Sequence, residues 1–380
     1  MSGCVRPAAG SLPLAALPPL YGRWVADLLE GAPIPAEVGA TCDDCAMAAP
    51  RGEAPRDAGT YFDVRVKCCS FVPTLPNFLV GRILLERGRG AAERSGRASV
   101  EARIRAGVGV SPLGVSPPPT FVVLYRSAAE AFGRARALRC PHFVEEGGLC
   151  GIWKHRNSTC ATWFCKFVRG QTGRAFWREL QEFLAAIERS LTRFALLEID
   201  PGPESLAALY PPTSSLGAPA ESLTAGDLDG EVEPERRRTL WGRFLGRERE
   251  LYQRAARLVD RLAWADVLRI GGSEVALRAR LVRDAHASFL DEELPERVGH
   301  GSYSVVGSRG GVVRILGYSA LDPLDVPAEL VAVLEDLAAG DAPLARLLEQ
   351  IEARRGVAID PAVVRRLLDF GILKARAHRV

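Results

Sequence analysis

The sequence predicts a mainly helical α+β fold, with a metal-stabilised, cysteine-rich N-terminal domain and a small C-terminal module that is winged-helix-like. Three observations lead to this prediction. Eight of the nine cysteines lie between Cys42 and Cys165. The middle of the chain repeats apolar residues at the three- and four-residue spacing of helices. The end of the chain combines a hairpin signal with three clearly punctuated helices.

The length of 380 residues favours more than one domain, and a hydrophobic content of 47% is enough for a sizeable core. Changes in composition along the chain suggest where the parts begin and end. The predicted parts are an N-terminal lead-in helix (1–40), a cysteine-cluster metal-binding domain (41–200), a linker (201–234), a helical segment (235–295) and the winged-helix-like module (296–380).

Charge and hydropathy indicate a cytoplasmic protein. The net charge of +3 is too small to indicate binding to nucleic acid or to an anionic membrane. The N-terminus lacks a charged region followed by a continuous apolar stretch, so we expect no secretory signal. No run approaches the roughly 18 apolar residues of a transmembrane helix, and we expect no membrane partner. In a reducing cytosol, clustered cysteines are more often metal ligands or catalytic groups than disulfides.

The front half contains five legible elements. Apolar spacing predicts helices over Leu20–Leu29, Asn77–Glu86 and Phe176–Leu197. Segment 87–107 is rich in Arg and Gly and is expected to be exposed. The run TFVVLYR, Thr120–Arg126, reads as a buried strand because it is continuous, short and rich in β-branched and aromatic residues.

The middle of the chain changes character twice. Segment 201–234 is rich in Pro, Gly, Ser and acidic residues and has no apolar period, so it is predicted to be a linker. A charged helix is expected over 235–268, and a second one from Ser273, a plausible N-cap, to Leu290.

The C-terminal module begins with a predicted hairpin. Two β-rich runs, Ser302–Ser308 and Val312–Gly317, flank the turn signal Arg309-Gly310-Gly311. Segment 372–377 could return as a further strand. Between them, three helices are expected to start at an Asp with a nearby Pro and to end at Gly, because Asp accepts from free N–H groups and Gly tolerates a left-handed turn. The predicted boundaries are Asp325, Pro327 and Gly340; Asp341, Pro343 and Gly356; and Asp360, Pro361 and Gly371.

This order of elements resembles winged-helix and PqqD-like peptide-recognition domains. The resemblance implies a peptide or protein partner, captured by addition of a strand to the edge of Val312–Leu316. Nucleic acid is disfavoured rather than excluded, because the third helix is short and carries Asp369. The arginines of the second and third helices are expected to form a solvated basic face. They are Arg354, Arg355, Arg365 and Arg366.

The clustered cysteines are the strongest functional signal. Cys42 and Cys45 form a CxxC pair, whose spacing lets two thiolates converge from one tight turn. Cys160 and Cys165 lie close enough for a helical turn or a knuckle. A set this dense indicates metal ligands more than inert core residues. The predicted ligands are Cys42, Cys45, Cys68, Cys69, Cys140, Cys150, Cys160 and Cys165.

The pattern CxxC … CC … CPHFxxxxGLCGIWxHRxxxCxxWFC resembles the bacterial YkgJ-like cysteine-cluster family, which is described as zinc- or iron-chelating. The resemblance covers roughly residues 40–170 and implies a metal, with little implied about a reaction. Two departures concern the motif itself. Ala48 and Ala49 stand where the family has adjacent cysteines, and Asn157 replaces the proline that follows the family's arginine.

Either Zn²⁺ or an iron–sulfur cluster accepts four thiolates, so eight cysteines suggest two sites or one site with spare thiols. Cys68 and Cys69 should serve different sites, or only one of them should be a ligand, because adjacent side chains of an extended chain point to opposite sides. His142 and His155 are expected to support the site or the fold rather than bind metal. Basic residues near the cysteines are candidates for balancing thiolate charge. They are Lys67, Arg139, Lys154, Arg156, Lys166 and Arg169.

Three classes of function remain open. The first is a metal-binding protein whose cysteine domain is ordered by Zn²⁺ or an iron–sulfur cluster. The second is a metal- or cluster-dependent enzyme that modifies a peptide or protein. The third is a metal-responsive regulator that uses the C-terminal module on DNA or a partner protein. The chain contains no GxxxxGK[ST], HExxH or GxSxG motif, so no particular reaction is indicated.

Overall fold

The computed structural model describes residues 17–48, 61–88, 90–211, 230–340 and 342–376. Helices dominate these ranges, and the sheets are small. The described helices are α1 Pro19–Leu28, α2 Asn77–Leu85, α3 Ala91–Ala106, α4 Pro119–Ser127, α5 Ser158–Thr162, α6 Gly170–Ile199, α7 Pro203–Leu209, α8 Pro234–Trp241, α9 Glu248–Asp260, α10 Trp264–Leu290, α11 Ala328–Ala339, α12 Leu344–Arg355 and α13 Pro361–Asp369. The predicted mainly helical α+β class is therefore confirmed.

Ten short strands accompany the helices. The described strands are β1 Leu75–Pro76, β2 Val110–Ser111, β3 Gly114–Val115, β4 Phe143–Val144, β5 Leu149–Cys150, β6 Val298–His300, β7 Ser304–Arg309, β8 Val312–Leu316, β9 Leu324–Pro327 and β10 Leu373–Ala375. They form four antiparallel sheets, in the orders β1-β3-β2, β4-β5, β10-β6 and β7-β8-β9.

One hydrophobic core is built around α6. Its apolar face is buried along the helix length, as the 3.6-residue period predicted. α10 packs along α6, and α9 packs against both α2 and α6. The core therefore takes residues from α1 through α10, including Trp24, Phe78, Trp241 and Tyr252. Helices that precede segment 201–234 and helices that follow it therefore contribute to the same core.

Two local predictions for the front of the chain were wrong. Thr120–Arg126 lies in helix α4 rather than in a buried strand, and no residue of α4 is buried. Segment 87–107 is half-buried rather than exposed, because α3 buries Gly96, Val100 and Ile104. The linker predicted over 201–234 stays a prediction, and the described ends of that segment contain α7 and the start of α8. Its part at 212–229 lies outside the described residues.

The charged helix predicted over 235–268 is divided. α8 is followed by a short 3₁₀ turn, Gly242–Phe244, then by α9, and α10 starts at Trp264. α10 runs through the predicted break but is interrupted at Gly272, where φ is +59°. Ser273 follows that interruption, so the predicted boundary marks a kink within α10. The helices predicted near Leu20, Asn77 and Phe176 are confirmed.

The C-terminal residues form a second hydrophobic core. The predicted hairpin is confirmed as β7 and β8. Asp360 accepts from the Ala362 N–H at 2.8 Å, as expected for the start of the third helix. By contrast, Asp325 lies in β9, which was not predicted, and pairs with Arg314 instead of opening a helix. Asp341 lies outside the described residues.

Two further expectations for this module need correction. β8 is hydrogen-bonded on both sides, to β7 and to β9, so Val312–Leu316 offers no free edge for an added peptide strand. The final strand, β10, pairs with β6 rather than with the hairpin. Within the described ranges, no helix has both the length and the apolar character needed to cross a membrane.

Candidate metal centre

The cysteines lie in a region of short, irregular elements beside the first core. Cys42 and Cys45 occupy a turn closed by a bridge between Ala40 and Cys45. Cys68 and Cys69 lie in a 3₁₀ turn, Lys67–Ser70, and the Cys69 carbonyl accepts from the Cys140 N–H at 2.6 Å. These backbone contacts bring segments that are distant in sequence to one place.

The last three cysteines are also positioned locally. Cys150 ends β5 and pairs with Phe143 of β4. Asn157 caps helix α5, because its side-chain oxygen accepts from the Cys160 N–H at 3.0 Å. Cys165 follows α5 within a few residues. The CxxC and Cys160–Cys165 spacings therefore mark turns that face the same region.

All eight predicted ligands line two adjoining cavities. The small cavity has a volume of about 70 Å³, and the large cavity about 210 Å³. Four cysteines line both, namely Cys42, Cys68, Cys69 and Cys160. Cys45 and Cys165 line only the small cavity, and Cys140 and Cys150 line only the large one.

Cys68 and Cys69 do not have the extended geometry assumed from the sequence. They share one 3₁₀ turn, and their side chains are hydrogen-bonded to each other. The Cys69 thiol donates to Cys68, which lowers the pKa of Cys68 from its ordinary value to about 7 and raises that of Cys69. Protein atoms surround Cys68, yet its side chain is exposed because it faces the cavity. Both cysteines line both cavities. The expectation that their side chains point to opposite sides, which was the reason for assigning them to different sites, is therefore wrong.

Burial opposes ionisation of the other thiols. It raises the pKa of Cys140, Cys150 and Cys165 to about 12, and that of Cys42 to about 11. A buried thiolate needs a nearby positive charge to be stable. A cation in the cavities would supply it and would favour the ionised form that binds metal.

Two cationic side chains are buried beside the thiols. The Lys67 ammonium group donates to the Cys42 carbonyl and, at 2.9 Å, to the Gly148 carbonyl. Arg156 donates to the carbonyls of Trp153 and Cys160, each at 3.1 Å, and its guanidinium lies 3.3 Å from the Trp153 ring centroid. Burial lowers the pKa of the Arg156 guanidinium. The nearby thiols act in the opposite direction and raise that pKa, Cys150 and Cys160 most strongly.

The other basic neighbours mostly act elsewhere. Lys166 lines the small cavity. Lys154 pairs with Glu93 and Arg139 with Glu145, each at 2.5 Å. Arg169 pairs with Asp369 in the second core. Proximity in sequence therefore identified three cations at the cavities, Lys67, Arg156 and Lys166.

The two histidines differ in position. His142 lines the large cavity, and its Nδ1 lies 2.8 Å from the Ser99 hydroxyl. Burial lowers the pKa of His142 to about 4, so its imidazole is neutral near pH 7. His155 lines neither thiol cavity and contacts Glu86 at 3.2 Å.

Sequence reasoning missed a buried network behind the thiols. Glu188 accepts from the Tyr21 hydroxyl, from the Ser158 N–H at 2.6 Å and from the Ser158 hydroxyl at 2.8 Å. It thereby holds the start of α5, and with it Cys160, against α6. The sequence contains one sign of this network. Glu188 is a charged residue within the apolar face of α6, between Leu184 and Leu191.

The thiols surround the cavities without converging on a single point. Among the residues that the structure describes, no group of three or more His, Cys, Asp or Glu side chains is arranged to hold a metal ion. The donors match a metal site in chemical type and location, but the sulfurs would have to turn toward an ion to share it. No family model, curated protein or solved structure matches the chain.

Proposed function

We propose that the chain binds Zn²⁺ or an iron–sulfur cluster through cysteine thiolates in the two adjoining cavities. The observation that carries the proposal is that all eight predicted ligands line these cavities, together with the buried cations Lys67 and Arg156. Both of these inorganic groups are commonly held by four thiolates. The resemblance to the YkgJ-like family, which is carried by the motif alone, is consistent with this function.

The four thiols common to both cavities are the best candidates for holding the group. Cys42, Cys68, Cys69 and Cys160 come from three separate segments, so ligation would cross-link a region with little regular structure. An ion or cluster bound only by thiolates would stabilise the fold by cross-linking it, or would carry electrons. An open coordination position would instead supply Lewis-acid or redox chemistry.

The buried cations bear on the charge of the site. Four thiolates on one Zn²⁺ leave a charge of −2, which is costly in a buried site without compensation. Lys67 and Arg156 lie where they reduce this cost. The same arrangement would suit an iron–sulfur cluster, whose net charge with four thiolates is also negative.

The regulator alternative gains little from the C-terminal module. Arg354 and Arg355 both approach Asp336, at 3.8 and 2.7 Å, and Arg365 donates to the Glu293 carbonyl. Arg366 lies over the Phe370 ring. These internal contacts weaken the case for a basic face that reads DNA.

Metal analysis of anaerobically purified protein, with a UV–visible spectrum, tests the proposal. We expect at least one metal ion or cluster per chain. A cluster should make the protein brown, whereas zinc should leave it colourless. Cys160→Ser should lose most of that metal, because Cys160 lines both cavities. Cys4→Ser, outside the predicted set, is the control and should retain it. Metal-free wild-type protein, or equal metal content in both variants, would refute the proposal.

A further inference from the structure

The large cavity has an aromatic side as well as a thiol side. Phe71, Tyr125, Phe132 and Trp163 line it, and we call these four residues the aromatic mouth. Phe71 and Tyr125 have ring centroids 5.7 Å apart, and Phe132 and Trp163 have centroids 6.2 Å apart. Trp163 is 49% exposed, whereas Cys140 is buried. The mouth therefore meets solvent at Trp163, and Cys140 belongs to the buried part of the lining.

Helix α4 supplies Tyr125 and is only lightly attached to the rest of the molecule. It has no buried residue, and its neighbouring side chains Val123 and Leu124 are 46% and 57% exposed. The Phe121 ring stacks on Tyr125. An apolar surface that continues into a concave pocket is a usual feature of ligand sites.

The lining of the large cavity disfavours charged organic ligands. Among the described residues that line it there is no Asp, Glu or Lys. Arg156 is the cation present, and its guanidinium stacks on Trp153 and donates to two backbone carbonyls. Aromatic rings prefer to meet other rings edge-to-face or offset, as the rings do within the Phe71–Tyr125 pair and within the Phe132–Trp163 pair.

The size of the cavity limits the ligand to a small molecule. An apolar cavity of roughly 150 Å³ is enough to hold benzene. The large cavity, at about 210 Å³, has room for one or two fused rings. The small cavity, with six thiols and the three cations Lys67, Arg156 and Lys166, adjoins it and shares the four thiols proposed to hold the inorganic group.

We propose that the aromatic mouth binds an uncharged aromatic molecule of one or two rings, placing a ring edge against Cys140 and Cys150. This inference rests on the proposed function and adds to it the class of organic molecule that would lie next to the metal or cluster held by the thiols. The binding step itself depends only on the pocket.

Titration of the 380-residue protein with the uncharged naphthalene fluorophore Prodan tests the inference. We expect one saturable site with a blue-shifted emission. Tyr125→Ala and Trp163→Ala should each weaken binding by about three- to tenfold, the usual effect of losing one aromatic contact. Trp163→Phe should keep the affinity within about twofold, since a ring remains.

Leu124→Ala is the matched control, because Leu124 is on the same helix, is more than half exposed and does not line the cavity. It should leave the affinity unchanged. Thermal unfolding of each variant establishes that the fold is intact. Absence of saturable binding, or equal affinity in Tyr125→Ala and Leu124→Ala, would overturn the inference. A dimer weakened by the same aromatic substitutions would assign the mouth to a second copy instead.

Cysteine alkylation in chelator-treated protein locates the ligand. Saturating Prodan should slow alkylation of Cys140, which lines the large cavity alone, and leave Cys45, which lines the small cavity alone, unchanged. Equal protection of both would contradict the placement. The result is independent of metal content: a metal-bound protein that fails to bind Prodan refutes this inference alone, and a metal-free protein that binds it refutes only the proposed function.

Discussion

Glu188 is a buried carboxylate that joins α6, α1 and the start of α5. It accepts from Tyr21 and twice from Ser158. Burial raises its pKa above the ordinary value of 4.5. For a raised pKa, the stabilising contribution is fully present below the ordinary value and is lost as pH rises through the folded value, because the native state then has to bury a charge.

We predict that Glu188→Gln removes this pH dependence. The stability of the wild-type protein relative to the variant should fall as pH rises above the ordinary Glu value of 4.5, by up to roughly 1.4 kcal/mol per pH unit within the titration range. Urea unfolding at a series of pH values measures it. Glu182→Gln, whose side chain is 43% exposed, is the control. A constant difference between wild type and Glu188→Gln across the series would contradict the prediction.

Among individual residues, the sequence indicated that the cysteines belong together, and their role as metal ligands stays a prediction; it did not indicate the residues that support them. Dense cysteines at turn spacings can be recognised without a structure, and all eight line the cavities. The mutual hydrogen bond of Cys68 and Cys69 depends on a 3₁₀ turn, and the preceding residue, Lys67, has a φ of +53°. Adjacent cysteines alone do not reveal that conformation. The partners of Glu188 are 30 and 167 residues away in sequence.

The close approach of α2 and α9 depends on Gly81. A Cβ atom at that position would lie 1.8 Å from the Tyr252 carbonyl oxygen. That oxygen belongs to the backbone of α9, so the helices would have to separate. The Tyr252 hydroxyl, in turn, donates to the Ser111 and Gly114 carbonyls at 2.7 and 3.1 Å, which ties α9 to the β1-β3-β2 sheet.

Gly81→Ala should therefore destabilise the protein by about 1–3 kcal/mol or more, the range for overpacking a close contact. Gly307→Ala is the matched control, because Gly307 is on exposed strand β7 with no atom within 4 Å of the added Cβ. The control should change stability by less than about 0.5 kcal/mol. Chemical denaturation compares the two, and equal effects would show that α2 and α9 do not meet as described.

The predictability of the elements followed the clarity of their apolar period rather than their length. α6 and α2 show such a period and were predicted, whereas α4, which has nine residues like α2, was not. The run at Thr120–Arg126 was assigned to a strand from its β-branched residues, but three consecutive prolines precede it and Pro119 occupies the first turn of α4. Two of the described sheets, β1-β3-β2 and β4-β5, have strands of two residues, which are too short to show an alternating pattern.

A buried ion pair connects the two hydrophobic cores. Arg169, at the start of α6, contacts both carboxylate oxygens of Asp369 in α13, at 3.0 and 2.9 Å. It also donates to the Phe289 and Asp291 carbonyls. Thr172 completes the contact by donating to Asp369 at 3.1 Å. The sequence analysis noted Arg169 as a basic neighbour of the cysteines and Asp369 as a residue unfavourable for DNA binding. No pattern in the sequence indicates that these two residues, 200 positions apart, form a pair.

We predict that Arg169→Met destabilises the protein by about 3–5 kcal/mol, because it leaves Asp369 buried without its partner. Arg314→Met, which breaks the solvent-exposed pair with Asp325, is the control and should cost at most about 1 kcal/mol. Urea unfolding followed by limited proteolysis should show the C-terminal module released first in Arg169→Met. Similar stability losses in the two variants would refute a structural role for the buried pair.

Ligation of a metal by the gathered thiols is open to a direct structural measurement, X-ray absorption at the metal edge of anaerobically purified protein. We expect a first coordination shell dominated by sulfur, at about 2.3 Å if the metal is zinc. A first shell made only of nitrogen and oxygen at about 2.0–2.2 Å would contradict it.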